Sequence, residues 1–337
     1  MSALADAVAA ERPGLLKIMV QLMKLRVIFL LQITALCAIL VHDTLARYGV
    51  MDLERTWLDT LNTMLITLVG GTLSAGGSNA INMWYDADID PHMRRTMNRP
   101  IPLGHVTPRF ALLFGSFIAI VGSSLFLLLS VKAAFWSAFS VLFYVLIYSI
   151  WLKRRTPQNI VIGGLAGSTP PLIGWAAAAG DSIAGSNMLA LGSPSPWMLF
   201  FLIFLWTPPH FWALALYRSG EYGKVNIPMM NEVKGAQHTL FQSKIYCVLL
   251  FLLGSVPCFW PESGLPLLWA FVSGALTLWY AASVWSIDPD EPFDANGRMP
   301  KAAKSFFRSL FYLGWMFLSL VIISFIPAEW LGFLGPL

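Results

Sequence analysis

Long apolar runs broken by short charged stretches predict nine membrane-spanning helices in this chain. They lie at about 25 to 42, 60 to 84, 110 to 131, 133 to 152, 159 to 179, 197 to 217, 244 to 261, 265 to 286 and 306 to 326. Each is near the roughly 20 residues that a helix needs to cross a bilayer core. The segment LLKIMVQLMKLR before the first run is amphipathic. Residues 1–24 contain neither a cleavable secretory signal nor an Arg-rich transit peptide, so they read as a cytoplasmic tail ahead of a single membrane domain over 25–337. The stretch 180–196, rich in Gly, Ser and Pro with only Asp181 for charge, reads as a flexible surface connection. The acids of 288–300 have no helical register and read as a solvated turn.

Composition turns this pattern into a fold class. Of 337 residues, 57% are hydrophobic and 12% charged, against about 25% charged in soluble domains, and mean hydropathy is +0.65. An all-α polytopic membrane bundle around a central cavity follows, in place of the two soluble domains that length alone would suggest. Cys37, Cys247 and Cys258 fall in separate apolar segments with no pairing or metal spacing. The net charge of +4 does not imply nucleic acid; the distribution of the basic residues is the informative part. With the N-terminus inside, 19 of the 22 Lys and Arg residues fall on the inner face, and only Arg47, Arg55 and Lys132 fall outside. Nine spans then place the C-terminus outside.

The candidate chemistry starts where the second run ends, at NMWYDADIDPHMRRTMNR, residues 82–99. Asn82, Asp86 and Asp90 are spaced i, i+4, i+8, so a helix would stack their oxygens along one face. Such ligands can share a divalent ion that substrate phosphates also hold, as is usual for Mg²⁺. Arg94, Arg95 and Arg99 follow and can bind phosphate. Three acids followed by three guanidiniums have the composition of a diphosphate site. The alternative is a solvated charged turn between two helices.

A second polar stretch, WTPPHFWALALYRSGEYGKVNIPMM at 206–230, puts Pro208 and Pro209 inside a span and so predicts a break there. It then places His210, Tyr217, Arg218, Glu221 and Tyr222 toward the inner mouth. An ionisable residue within a membrane span marks a candidate site. His210 reads either as a structural histidine bonded across helices or as a substrate or haem contact, and Glu221 with Arg218 either as a site or as a helix-end ion pair. Between the two stretches, WLKRRTPQNIVIGGLAGSTPPLIGW (151–175) carries Lys153, Arg154 and Arg155 at the inner surface. Asn159 then starts a helix whose Gly163, Gly164 and Gly167 allow close packing, and Pro170 and Pro171 are expected to kink it. The polar stretches follow the second helix of spans one to four and of spans five to eight, which suggests two halves facing one cavity.

These three stretches, in this order over nearly the whole chain, resemble the haem O synthase (protohaem IX farnesyltransferase) branch of the UbiA-type intramembrane prenyltransferases. Asn-x₃-Asp-x₃-Asp marks the superfamily, and the other two stretches point to the haem-modifying branch. Where that branch often has Asp before the second Tyr of the last stretch, this chain has Glu221 before Tyr222, a carboxylate of different reach. The resemblance implies transfer of a farnesyl group from farnesyl diphosphate to a vinyl group of haem B, for haem-copper oxidases. Mg²⁺ would be held by Asp86 and Asp90 with Asn82, and Arg94, Arg95, Arg99 and Lys153 would act on the leaving diphosphate. Arg154, Arg155 and Arg218 would face the haem propionates and His210 the haem, with Asn159, Tyr217, Glu221 and Tyr222 completing the substrate contacts. It further implies haem as substrate and not resident cofactor, a multi-pass protein in a bacterial inner membrane with cytoplasmic active-site loops, and haem A synthase or oxidase assembly factors as candidate partners. The rival readings are a prenyltransferase for another aromatic acceptor such as a quinone precursor, a secondary transporter, and an assembly factor.

Overall fold

A computed structural model of the protein describes residues 13–49, 53–217, 223–256, 260, 266–294, 298–326 and 330. Among the described residues every regular element is helical. A short helix α1 (Leu15–Met23) leads into α2 (Leu25–Arg47), α3 (Trp57–Tyr85), α4 (Pro108–Leu125) and α5 (Val131–Leu142). Then come α6 (Asn159–Ser168), α7 (Pro170–Ala179), α8 (Ser195–Tyr217), α9 (Gly235–Gly254), α10 (Leu267–Trp285) and α11 (Pro300–Ser324). Counting α6 and α7 as one path across, eight helical paths are long and apolar enough to span a membrane. α9 stands in the place of the seventh predicted run but begins nine residues earlier, and its first turns carry Gln237, His238 and Gln242.

Local chemistry sets the boundaries. Thr56 and Asp59 form a reciprocal capping box at the start of α3, with the Asp59 amide donating to Thr56 Oγ1 at 3.2 Å and the Thr56 amide to Asp59 Oδ2 at 2.9 Å. Thr107 caps α4, with Pro108 as its first residue, and Ser130 caps α5. The prolines behave differently from expectation. The fifth span separates into two helices at Thr169, because Pro170 and Pro171 take first-turn positions where no amide hydrogen is needed. The sixth runs unbroken through Pro208 and Pro209. That helix is the centre of the bundle, 72% buried over its most apolar stretch against 33% for Pro108–Leu128, so packing on all sides holds its backbone. The peripheral α4 instead presents Leu113, Phe117 and Ile120 outward, spaced for one helix face and available to lipid.

Close approaches fix α3. A Cβ on Gly77 would fall on the Gly115 carbonyl and the Ala119 side chain, and one on Gly122 would meet Gly70 and Ser74. The seven-residue spacing in both helices makes this one seam. At the end of the bundle away from the acids, Asp43 is fully buried and accepts from Arg55 Nε at 3.0 Å and Thr60 Oγ1 at 2.6 Å, while His42 Nδ1 lies 2.8 Å away. Tyr48 donates to the Phe325 carbonyl at 3.0 Å and joins the first and last spans. The stretch 180–196 is pinned there, in contrast to the loose connection its composition suggests. Trp136, Trp175 and Trp197 donate their indole N–H groups to the carbonyls of Met188, Leu191 and Leu189.

Candidate active site

α3 carries its polar positions toward the opposite end of the bundle: Ser74, Ser78, Asn82 and Asp86 follow at one-turn intervals, and all are buried. The helix closes at Asp86, but one more turn follows, with the Asp90 amide donating to the Asp86 carbonyl at 2.9 Å. Asp90 thereby extends the same face. Thr96 Oγ1 donates to the Asp90 carbonyl at 2.9 Å and folds the arginine stretch back over the acids.

Two other elements bring cations to these acids. Beyond α5 the same helix continues over Phe143–Leu152 as a π-helix, with the Lys153 amide donating to the Tyr148 carbonyl five residues back. Such wide turns concentrate at functional sites. This one ends with Lys153 Nζ on Asp86 Oδ2, a buried ion pair. At the α1–α2 junction Lys24 adopts a left-handed conformation, φ +56°, and its ammonium donates to Asn82 Oδ1 at 3.2 Å. Asn82 in turn donates to Ser149 Oγ at 3.2 Å. Arg99 Nη1 lies 2.8 and 2.7 Å from the two Asp90 oxygens.

Burial decides the charges here. It pushes the Asp90 carboxyl above its usual range, with Arg99 as the main opposing influence. It also lowers the Lys153 ammonium, which the pairing with Asp86 resists. Lys24 is lowered to about 7, first by burial and then by the positive charges of Arg99 and Lys153.

These groups line one end of a cavity of about 550 Å³. Asn82, Asp86, Asp90, Arg95, Arg99, Lys153 and Asn159 all reach it, together with Lys24. Asn159 is buried and its amide donates to the carbonyls of Thr156 at 2.7 Å and Pro228 at 3.2 Å, so it ties the lysine turn to the loop after α8. His210 lines the same cavity from α8, sandwiched between Trp206 (ring centroids 4.2 Å apart) and Phe306 (4.8 Å). Ser309 Oγ donates to the Phe306 carbonyl at 2.6 Å and lies 2.6 Å from His210 Nδ1.

The other expected residues lie elsewhere. Arg154 grips both oxygens of Asp88 at 2.7 Å, lowering that carboxyl's pKa, and rests over the Tyr85 ring outside the cavity lining. Arg94 and Arg155 are exposed and do not line it. Tyr217 is buried beside Phe306 under Arg298, also outside the lining. Arg218, Glu221 and Tyr222 lie outside the described residues.

The UbiA prenyltransferase family model matches residues 44–311. The chain belongs to the UbiA prenyltransferase family. It is 46% identical over 253 residues to protoheme IX farnesyltransferase of Parvibaculum lavamentivorans, covering 74% of each chain. With the protein of the same name from Bartonella tribocorum it shares 39% identity over 313 residues, covering 91% of this chain and 90% of the relative. Among solved structures it resembles digeranylgeranylglyceryl phosphate synthase, with a TM-score of 0.67 at 16% identity over 92% of this chain and 98% of the other. A UbiA homologue from Archaeoglobus fulgidus bound to DMAPP and Mg²⁺ gives a TM-score of 0.61 at 13% identity, covering 90% and 99%. At these identities the structures establish the fold.

The residues of this UbiA member suit a hard cation. Among the described residues no three His, Cys, Asp or Glu side chains form a metal cage of their own. Asp86 Oδ1, however, is buried with no hydrogen bond among the described residues, and Arg154 Nη2 lies 3.9 Å from it. A Mg²⁺ ion that takes one or two carboxylates and completes its shell with phosphate and water fits such a donor set. Lys24 was not singled out by the sequence pattern, which counted it only among the charges that set topology. Its position one residue before the first spanning helix, level with the acids, was the available signal.

Proposed function

We propose that this UbiA member transfers the farnesyl group of farnesyl diphosphate to a vinyl group of haem B, giving haem O for haem-copper oxidases. The observation that carries the reading is a single cavity with Asp86, Asp90 and the cations Lys24, Arg95, Arg99 and Lys153 at one end and His210 in the same lining. The names of the relatives support the haem acceptor. Asp86, Asp90 and Asn82 would hold Mg²⁺ with the diphosphate, where its Lewis acidity neutralises the developing charge. Lys24, Arg95, Arg99 and Lys153 supply further positive charge to the same leaving group. The C–O bond breaks with its electrons going to diphosphate, and the vinyl π pair forms the new C–C bond. Water then adds to the porphyrin-side cation. The apolar wall of the cavity keeps bulk water from the allylic cation, which would otherwise give farnesol.

In this reading α9 is the seventh of nine spans within one membrane domain over 25–337. α1 and Lys24 pack onto this domain in place of the loose tail expected at 1–24, and the acid loop faces the cytoplasm of a bacterium from its inner membrane. Positive residues gathered at the acid-loop end favour that orientation. His210 contacts the haem, and Arg155 and Arg218 are candidate propionate partners. Arg94, Glu221 and Tyr222 are candidate substrate contacts. Haem A synthase or oxidase assembly factors would receive the product.

The test is purified protein in detergent with haem B, farnesyl diphosphate and Mg²⁺, read by mass spectrometry, with chelator and Asp86→Asn as controls. Haem gaining farnesyl plus water, only with Mg²⁺ and not in the variant, is the expected result. Unchanged haem beside a prenylated alternative acceptor would overturn the acceptor, and no prenylation of any acceptor would overturn the enzyme reading.

A further inference from the structure

Beside the main cavity, enclosed by α2, α3, α5 and the α6–α7 break, is a second pocket of about 60 Å³. It shares Leu31, Ala75, Ser78, Ser140 and Ala166 with the main cavity, so these residues form the partition between the two. Its volume suits a few water molecules and nothing much larger. Although it lies within the membrane-spanning part of the bundle, its own wall carries Gln32, Thr67, Ser74, Ser137 and Thr169. Polar side chains at such depth are costly unless they are satisfied.

The hydrogen bonds show what this wall offers. Ser78, Ser140 and Thr169 donate their hydroxyl protons to the carbonyls of Ser74 and Ala166, at 3.0, 3.0 and 2.8 Å. Gln32 spends its amide on the Leu68 carbonyl and Thr72 Oγ1, both at 3.1 Å. The oxygens of these groups are therefore left to accept. Thr67 Oγ1 is the exception: its residue is 1% exposed and the hydroxyl makes no hydrogen bond among the described residues. A small ligand that donates to several oxygens and can also accept from one hydroxyl is water. Among the described residues no charged side chain lines the pocket, which disfavours an ion.

We propose that this pocket is the water store for the last step of the reaction. The inference rests on the haem-farnesylating reading above, because that reaction consumes one water per turnover and other parts of the site must exclude it. Ser78 belongs to the partition and stands one turn from Asn82 on α3, about 5.4 Å along the axis. The stored water thus lies behind the partition, one helical turn from the acid end of the main cavity. Once the farnesyl–vinyl bond has formed, the water oxygen gives a lone pair to the porphyrin-side cation and makes the C–O bond. One O–H bond breaks, and its proton passes to the diphosphate released at the Asp86 end. If no water arrives, the cation loses a neighbouring proton instead and gives a product lighter by one water.

The product ratio is therefore the measurement. Thr67→Val and Ser137→Ala remove polar groups from the wall at nearly constant volume, and Thr67→Ser retains the hydroxyl. With haem B and farnesyl diphosphate as substrates, hydrated and dehydrated farnesyl-haem are quantified by mass spectrometry for protein of verified thermal stability. The expected result is a ratio shifted roughly tenfold toward the dehydrated product in Thr67→Val, as loss of a hydrogen bond to the water implies. A smaller shift in the same direction is expected for Ser137→Ala, and the native ratio for Thr67→Ser. A ratio unchanged in Thr67→Val and Ser137→Ala, even with lower total turnover, would overturn the water store and leave these residues a packing role. Absence of any farnesyl-haem from the native protein would overturn the underlying reaction instead, an outcome separate from an unchanged ratio.

Discussion

Lys24 is held near neutrality by the same burial and positive neighbours that make it useful. With its pKa at about 7, it is largely charged below pH 7 and largely neutral above in the ligand-free cavity. A bound diphosphate favours the ammonium and raises that value. Binding therefore takes up a proton above pH 7, and affinity weakens as pH rises from about 7 toward the complex's higher pKa. Calorimetry of diphosphate binding in buffers of different ionisation enthalpy should show this uptake, and Lys24→Met should abolish it. Asp90 has the opposite sign. Its carboxyl is already raised by burial and restrained by Arg99, so Arg99→Gln should lift it further and extend protonation to higher pH. A protonated carboxyl is a poor metal ligand. Apparent Mg²⁺ affinity in Arg99→Gln should therefore fall tenfold or more at pH 6, with a smaller loss at pH 8, in a Mg²⁺ titration of activity. The acids were legible in sequence because their four-residue spacing is local and the backbone keeps it through one turn beyond the helix. Lys24 was not, because its approach to Asn82 crosses 58 residues of chain.

At the scale of the helices, the seam between α3 and α4 is what aims the acid face. A side chain on Gly77 would collide with backbone, which cannot rotate away as a flexible side chain would. Gly77→Val should cost about 3 kcal/mol, the upper end for overpacking. Thermal unfolding in detergent would show it as a lower transition, with transfer activity falling further than stability because Asp86 lies two turns onward. The prolines illustrate the limit of local reading. Residues 170–171 and 208–209 look alike in sequence, yet one pair starts a helix and the other sits inside one. The difference comes from what surrounds α8, which the sequence of α8 does not contain. The stretch 180–196 misleads for a similar reason: one of its partners is the Trp136 indole, 52 residues away in the chain.

At the scale of the molecule, the two polar stretches that lie more than 100 residues apart in sequence meet on one cavity, as their matching places in the chain suggested. The joint between these halves is the helix that leads to Lys153, and its wide turns amount to a reading frame. Each α-helical residue advances the chain by about 100° around the axis, so a single residue gained or lost in Phe143–Leu152 decides which way everything after it faces. Deleting one residue there should let the helix relax to ordinary four-residue bonding and swing Lys153 away from Asp86. The deletion protein should extract and melt close to the native one while losing Mg²⁺-dependent transfer; retained transfer would mean that the turn at 153–158 absorbs the slip. Seen this way, the surplus residue in that helix works as a frameshift written into the fold, and the two halves form one site only because they are read in the shifted frame.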